Sequence, residues 1–211
     1  MNKWTCAIAA AGLLLGARAL PAMAAEFTWA SHVESISPGL DVSGNVVDAN
    51  RSNPHNALGT PADPAENPGE LDFYSLGIGG EMVLSFGKPF TAGDAVVFET
   101  TFGNRAIYPE SVELLVSTDG ISFIHVTDLN NLSADTHLVL SDFIAETGPF
   151  HFLKLKDKTD PAPFLAGGFD LKADGFDVNA VGVTAIPLPS ATWSALGLLG
   201  ALGARKRLHR A

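Results

Sequence analysis

Cysteine is nearly absent: Cys6 is the only one in 211 residues. It stands in an N-terminal apolar run that reads as a removable leader, so the mature chain should hold no disulfide, no Cys-ligated metal and no thiol nucleophile. It follows Trp4-Thr5 rather than small residues, which argues against lipidation. Bases are scarce as well. Between Glu26 and Ile186 there are 23 acids and seven bases, a net charge of −16 against −10 for the full chain. Such a surface repels nucleic acid and anionic lipid, suits a soluble exported protein and can attract divalent cations. Sustained helical periodicity is missing too, because no segment before the C-terminal tail keeps a helical repeat over three turns.

Several catalytic patterns are also missing. No Gly-x-Ser-x-Gly elbow occurs, and His32, His55, His125, His137 and His151 lack the close spacing of a zinc site. Gly77, Gly79 and Gly80 are not followed by Lys-Ser/Thr, and a strand comes next, so they read as a tight turn rather than a phosphate loop. Asp48, Asn50 and Ser52 alternate like oxygen ligands, but the Gly and Glu that an EF-hand needs are not in place. Glu110 and Glu113 could be drawn as a glycosidase pair. Glu113 lies on an alternating strand, so a solvent-facing charge accounts for it better.

What is present is β pattern. Short pieces fall around Phe27-Thr28-Trp29 and over residues 42–47, followed by an irregular, proline-rich stretch over 50–71. Met82, Leu84 and Phe86 alternate with smaller or polar neighbours, as do Val96, Phe98, Thr100 and Phe102, and then Val112, Leu114 and Val116. Thr118-Asp119-Gly120 predicts a hairpin turn into residues 121–126. Further strands fit residues 138–140, 150–155 and 176–183, with His151, Leu153 and Leu155 on one face. Phe86, Phe98, Phe123 and Phe176 are the expected core aromatics. About eight strands separated by turns predict an all-β, antiparallel β-sandwich with a jelly-roll-like arrangement over residues 25–185.

The two ends carry a different message. Lys3, an apolar stretch over residues 6–15 and Ala22-Met23-Ala24 form a signal peptide over residues 1–24, so Sec-type export is expected. At the other end come Ile186-Pro187-Leu188-Pro189-Ser190, an uncharged run over residues 191–204, and the bases Arg205, Lys206, Arg207 and Arg210. The prolines forbid a helix running in from upstream, Ser190 can cap one, and the bases stop transfer on the cytoplasmic side. Fourteen helical residues span roughly 21 Å against a hydrocarbon core of about 30 Å. That is short for a permanent anchor and fits a temporary membrane stop.

This order over residues 186–211 resembles the PEP-CTERM sorting signal of Gram-negative bacteria, with Pro187, Leu188 and Pro189 at the recognition motif. Leu188 stands where Glu is commonest in that family. The resemblance implies an inner-membrane intermediate, processing by an exosortase-type enzyme and a final place at the cell surface or outside the cell. An ordinary C-terminal tail anchor is the other reading of these residues.

A second resemblance runs through the body. Ala57-Leu58-Gly59, Phe73-Tyr74-Ser75-Leu76-Gly77-Ile78-Gly79-Gly80, Val96-Val97-Phe98-Glu99, Val116-Ser117-Thr118-Asp119-Gly120 and Asp174-Gly175-Phe176-Asp177-Val178-Asn179-Ala180-Val181 follow in that order. The series is similar to bacterial cell-surface proteins with a jelly-roll ectodomain of the galactose-binding or discoidin type. That likeness implies association with exopolysaccharide or biofilm material, and a structural calcium where loops meet at one end of the sandwich.

Two candidate sites follow. Asp170, Asp174, Asp177 and Asn179 could supply oxygens to calcium, which takes about six to eight of them; Asx-turn chemistry is the alternative. Tyr74, Asn104, Arg105 and Tyr108 could meet a sugar, with the aromatic rings stacking and the polar groups fixing its hydroxyls. Together these point to a non-catalytic, exported surface or matrix protein with no certain cofactor. A secreted polysaccharide hydrolase and a purely structural matrix protein are the alternatives.

Overall fold

The computed structural model describes residues 27–62, 71–101, 105–167 and 173–186. The signal peptide, the sorting motif, the membrane segment and the basic tail, together with Asn104 and Asp170, lie outside the described residues.

Among the described residues nine strands carry the fold: β1 (Phe27–Trp29), β2 (His32–Ser37), β3 (Tyr74–Ser75), β4 (Glu81–Glu99), β5 (Ser111–Ser117), β6 (Ile124–Asn130), β7 (Asp135–Val139), β8 (Phe150–Asp157) and β9 (Asp177–Ala185). Every pairing is antiparallel. The long β4 serves two layers. Its first part, Glu81 to Ser85, pairs with β2 on one side and β8 on the other, and β8 continues to β5 and β6. Its second part, Asp94 to Glu99, pairs with β7 and β9, and β1 and β3 share the far edge of β9. The ladder shifts between Ser85 and Phe90, where Gly87-Lys88-Pro89 interrupts the pattern. A proline cannot donate to the ladder, so the strand changes partners at that point.

Period-two alternation explains what fills the space between the layers. Met82, Leu84 and Phe86 from β4 meet Val112, Leu114 and Val116 from β5, Leu153 and Leu155 from β8, and Val181 and Val183 from β9 in one buried cluster. Phe90 and Phe150 lie at its centre, 5.7 Å apart between ring centroids. The predicted all-β sandwich is therefore the observed architecture.

Several boundaries moved. Residues 42–47 form a turn with an isolated Leu40–Val46 bridge rather than a strand. The hairpin turn after β5 is present, with Asp119 Oδ1 accepting from the amides of Ile121 and Ser122, but β6 starts only at Ile124. Strand β2, absent from the periodicity reading, is mostly exposed, so its sequence carries little apolar alternation. A short helix, α1 (Ala162–Gly167), buries Phe164. Phe86 and Phe176 are core, as expected, whereas Phe98 faces outward and Phe123 lies under the ammonium of Lys154 at 4.4 Å.

The glycine-rich turn behaves as read. Gly77 and Gly79 have φ of +74° and +72°, and a Cβ on Gly80 would collide with the Leu76 carbonyl oxygen. Among the described residues no helix is long and apolar enough to cross a membrane.

Candidate functional site

Strands β4, β7 and β9 end together at one end of the sandwich, where Glu99, Asp135 and Asp177 lie. The chain enters β1 and leaves β9 at the other end, because Phe27 pairs with Thr184. From Asn179 to Ala185 the strand runs about 20 Å at roughly 3.3 Å per residue. The loops gathered at the end away from the termini bring most of the candidate residues into one region.

At its floor is a buried polar network. One guanidinium nitrogen of Arg51 lies 2.7 Å from Asp177 Oδ2 and 2.8 Å from Asp174 Oδ1. The Arg51 guanidinium also sits over the Phe73 ring, 5.1 Å from its centroid. Burial pushes both carboxyl groups up, Asp174 to about 6, while Arg51 opposes the shift. Burial disfavours the charged carboxylates and the cation favours them; with one cation shared between two buried acids, burial prevails and proton retention is favoured.

Nearby, Asp157 fastens three loops. Its carboxylate accepts from the amides of Gly79, Thr159 and Phe176 and from the Thr159 hydroxyl, at 2.8–3.1 Å. Glu110 is buried beside Asn131, whose side chain accepts from the Glu110 amide at 3.0 Å and donates to the Tyr108 carbonyl at 2.8 Å. Burial first, then the charges of Asp177, Glu99 and Asp174, push Glu110 up to about 10.

At the same end opens a recess of ≈ 200 Å³ whose lining includes Pro61, Phe98, Glu99, Thr101, Arg105 and Asn179. Glu99 Oε2 pairs with Arg105 at 3.0 Å, and Oε1 accepts from the Thr101 hydroxyl. Burial raises Glu99 to about 7, with the Thr101 hydrogen bond and the Arg105 charge working against it. Asn179 Oδ1 accepts from the Ala62 amide at 3.0 Å, and its amide nitrogen donates to Thr100 at 3.2 Å. The recess thus presents fixed donors and acceptors beside one aromatic ring. Polar groups held by their neighbours can bind a hydroxylated ligand without first being ordered.

The candidates named from sequence separate on this geometry. Arg105 and Asn179 line the recess together. Tyr108 turns its ring to Phe164 of α1, 6.1 Å away, and serves packing. Tyr74 is 1% exposed, so its ring lies in the core and offers no face for stacking. Asp174 and Asp177 converge on Arg51, while Asn179 turns its oxygen to Ala62. The described members of the calcium set therefore do not form an oxygen cage, because the place between the two acids is taken by a guanidinium.

Glu99, Thr101 and Phe98 carry no local mark of ligand contact in the sequence, because the alternation over residues 96–102 runs through them unbroken. Cross-strand pairing also brings Glu113 and Asp128 to His125, at 3.8 and 3.2 Å. These are surface groups whose meeting depends on strand register rather than on spacing in the sequence.

No protein-family model matches the chain, and no curated protein does. Among solved structures it is similar to the lectin domain of lectinolysin complexed with Lewis B antigen, at 13% identity and a TM-score of 0.45, covering 72% of this chain and 93% of that one. It is similar to a pectin-binding carbohydrate-binding module at 9% identity and a TM-score of 0.45, covering 74% and 93%. It is also similar to the C-terminal domain of a chitobiase from Bacteroides fragilis, at 12% identity and a TM-score of 0.46, covering 76% and 95%. At these values the likeness has no bearing on ligand or site, and the antiparallel all-β architecture rests on the strand pairings themselves.

Proposed function

We propose that this is an exported, non-catalytic carbohydrate-binding protein that meets exopolysaccharide through the recess at the end of the sandwich away from its termini. The observation that carries the reading is the recess lining: Arg105, Glu99, Thr101 and Asn179, each held by a neighbour, beside the Phe98 ring. A sugar asks for this combination of an apolar face and directed hydrogen-bond partners. The acidic body favours neutral or cationic glycans over anionic ones.

Export, passage through the inner membrane and C-terminal processing by an exosortase-type enzyme are supported by the leader over residues 1–24 and by the Pro187-Leu188-Pro189, apolar and basic order of the tail. The chain enters β1 and leaves β9 at the same end, so a tether there would hold the recess outward.

One observation favours the hydrolase reading: Glu99, raised to about 7, has the ionisation expected of a general acid. Glycoside hydrolysis ordinarily takes two carboxylates flanking the bond. Among the described residues lining the recess Glu99 is the single carboxylate, and Arg105 is its ion-pair partner. Binding without turnover is the better account.

A glycan panel probed with wild-type protein and with Arg105→Ala tests the proposal. Binding of a defined glycan set by the wild type, reduced at least about tenfold in the variant, is expected. No binding across the panel, or cleavage of a bound glycan, contradicts it.

A further inference from the structure

The outward face of the layer built on β1, β9, β4 and β7 carries an aromatic cluster with no role in the core. Phe27 and Trp29 lie 5.9 Å apart, Trp29 and Phe98 5.9 Å, Phe98 and His137 6.4 Å, and His137 and Phe27 6.0 Å. Strand register builds it. Trp29, Gly182, Val96 and His137 pair across four neighbouring strands, so they share a face, and Phe27 and Phe98 lie two residues along from Trp29 and Val96. The absent side chain of Gly182 lets the indole lie on the sheet, since a Cβ there would come within 2.9 Å of Trp29.

At the terminus-bearing end this face opens into a groove of ≈ 530 Å³ lined by Phe27, His137, Val139, Phe143, Asp94 and Asp142 among others. Phe143 is 50% exposed and Val139 38%. Among the described residues the lining holds two carboxylates and neither Lys nor Arg. Phe98 and His137 are in ring contact, Phe98 in the wall of the recess and His137 in the wall of the groove. Recess and groove are therefore joined by a run of rings along the sheet.

We propose that this groove binds a polymer of amino sugars with free amines, its ring faces on Phe27 and Phe143 and its ammonium groups against Asp94 and Asp142. The inference rests on the carbohydrate-binding reading of the recess and adds a second site and a ligand class. Two things select this occupant. Carboxylates beside exposed aromatic rings favour a cation through both ion pairing and ring electrostatics. The volume and the aromatic run suit successive pyranose rings laid C–H face down, whereas a single aliphatic ammonium chain would leave most of the groove unfilled. An acetylated amine carries no charge and loses the first of these contributions.

The test is titration of the purified full chain with a glucosamine oligomer, its fully N-acetylated counterpart and a lysine-rich peptide. Four proteins are compared: wild type, Phe143→Ala, Asp94→Asn with Asp142→Asn, and Arg105→Ala. The glucosamine oligomer should bind at least about tenfold more tightly than the acetylated one. Phe143→Ala and the double Asn variant should each weaken it by a similar factor, and added salt should weaken it further. Both substitutions are at the surface, and an unchanged circular dichroism spectrum for either one suffices to read the result. Equal affinity for the two oligomers, no effect of either groove change, or equal or tighter binding of the peptide overturns the proposal. Arg105→Ala separates the two sites. If it leaves every glycan bound while the groove variants do not, the recess reading fails and the groove stands. If it alone removes binding, the groove proposal fails.

Discussion

Arg51 places one guanidinium nitrogen 2.7 Å from Asp177, and the same nitrogen reaches Asp174 at 2.8 Å. The two acids thus share a cation from the chain itself, from a segment more than a hundred residues earlier. Removing it would leave two buried carboxylates facing each other. Arg51→Met should lower stability by about 3 kcal/mol, near the low end for a broken buried pair because the arginine is partly exposed. Millimolar calcium should leave the wild-type thermal midpoint unchanged. A calcium-dependent rise reversed by chelator would contradict this assignment.

The raised carboxyl groups set a direction for pH. Glu99 and Glu110 have ordinary values of 4.5 and are pushed up to about 7 and about 10, and Asp174 goes from 3.8 to about 6. Below the ordinary values both folded and unfolded chains hold these protons, and their contribution to stability is complete. As pH rises the unfolded chain gives them up first, so stability falls, Asp174's share being lost by about 6 and Glu99's by about 7. Glu110 keeps the slope negative towards 10. Asp41 and Asp119 are lowered from 3.8 by backbone hydrogen bonds and change only in more acid solution. The thermal midpoint should therefore fall between about pH 5 and 8, and Glu110→Gln should flatten the fall. A midpoint that rises over that interval contradicts the burial of these acids.

Gly182 tests the aromatic platform from beneath. A methyl group there would meet Trp29 at 2.9 Å and a Val96 methyl at 3.1 Å. Gly182→Ala should lift the indole and cost about 1–3 kcal/mol by overpacking, with a changed tryptophan emission maximum. Unchanged emission and stability would show that Trp29 does not lie on the sheet.

How much of this was legible in the sequence depends on what kind of interaction made it. The β-sandwich was legible because alternation in residues such as Met82, Leu84 and Phe86 reports a buried face directly. The turn glycines were legible because a positive φ restricts the residue types that fit. The continuity of β4 through Gly87-Lys88-Pro89 was not, since a glycine and a proline ordinarily mark an end. Tyr74 lies in the core rather than at the surface, and the sequence does not show it because a two-residue strand is too short to show a period. The partnership of Arg51 with Asp174 and Asp177 was hidden for another reason: it spans most of the chain, and nothing local marks it. The alternation predicts Phe98 inward with the rest of its strand, but β4 buries apolar residues on both faces around Val96 and Val97. Composition alone does not tell the two faces apart there.

The tail makes a separate prediction. Replacing Pro187 and Pro189 together should leave an unprocessed form in the inner membrane, seen by intact mass as a chain retaining residues 186–211. Release and trimming at the normal rate in that variant would count against the sorting signal.

If a glycan is held at the recess, titration with fragments of the host's exopolysaccharide, followed by backbone amide NMR, should give saturable shifts concentrated at Ala62, Glu99, Thr100, Thr101, Arg105, Ala134 and Asn179. Spectra that do not change at saturating glycan, or changes that leave all of these residues unmoved, would contradict it.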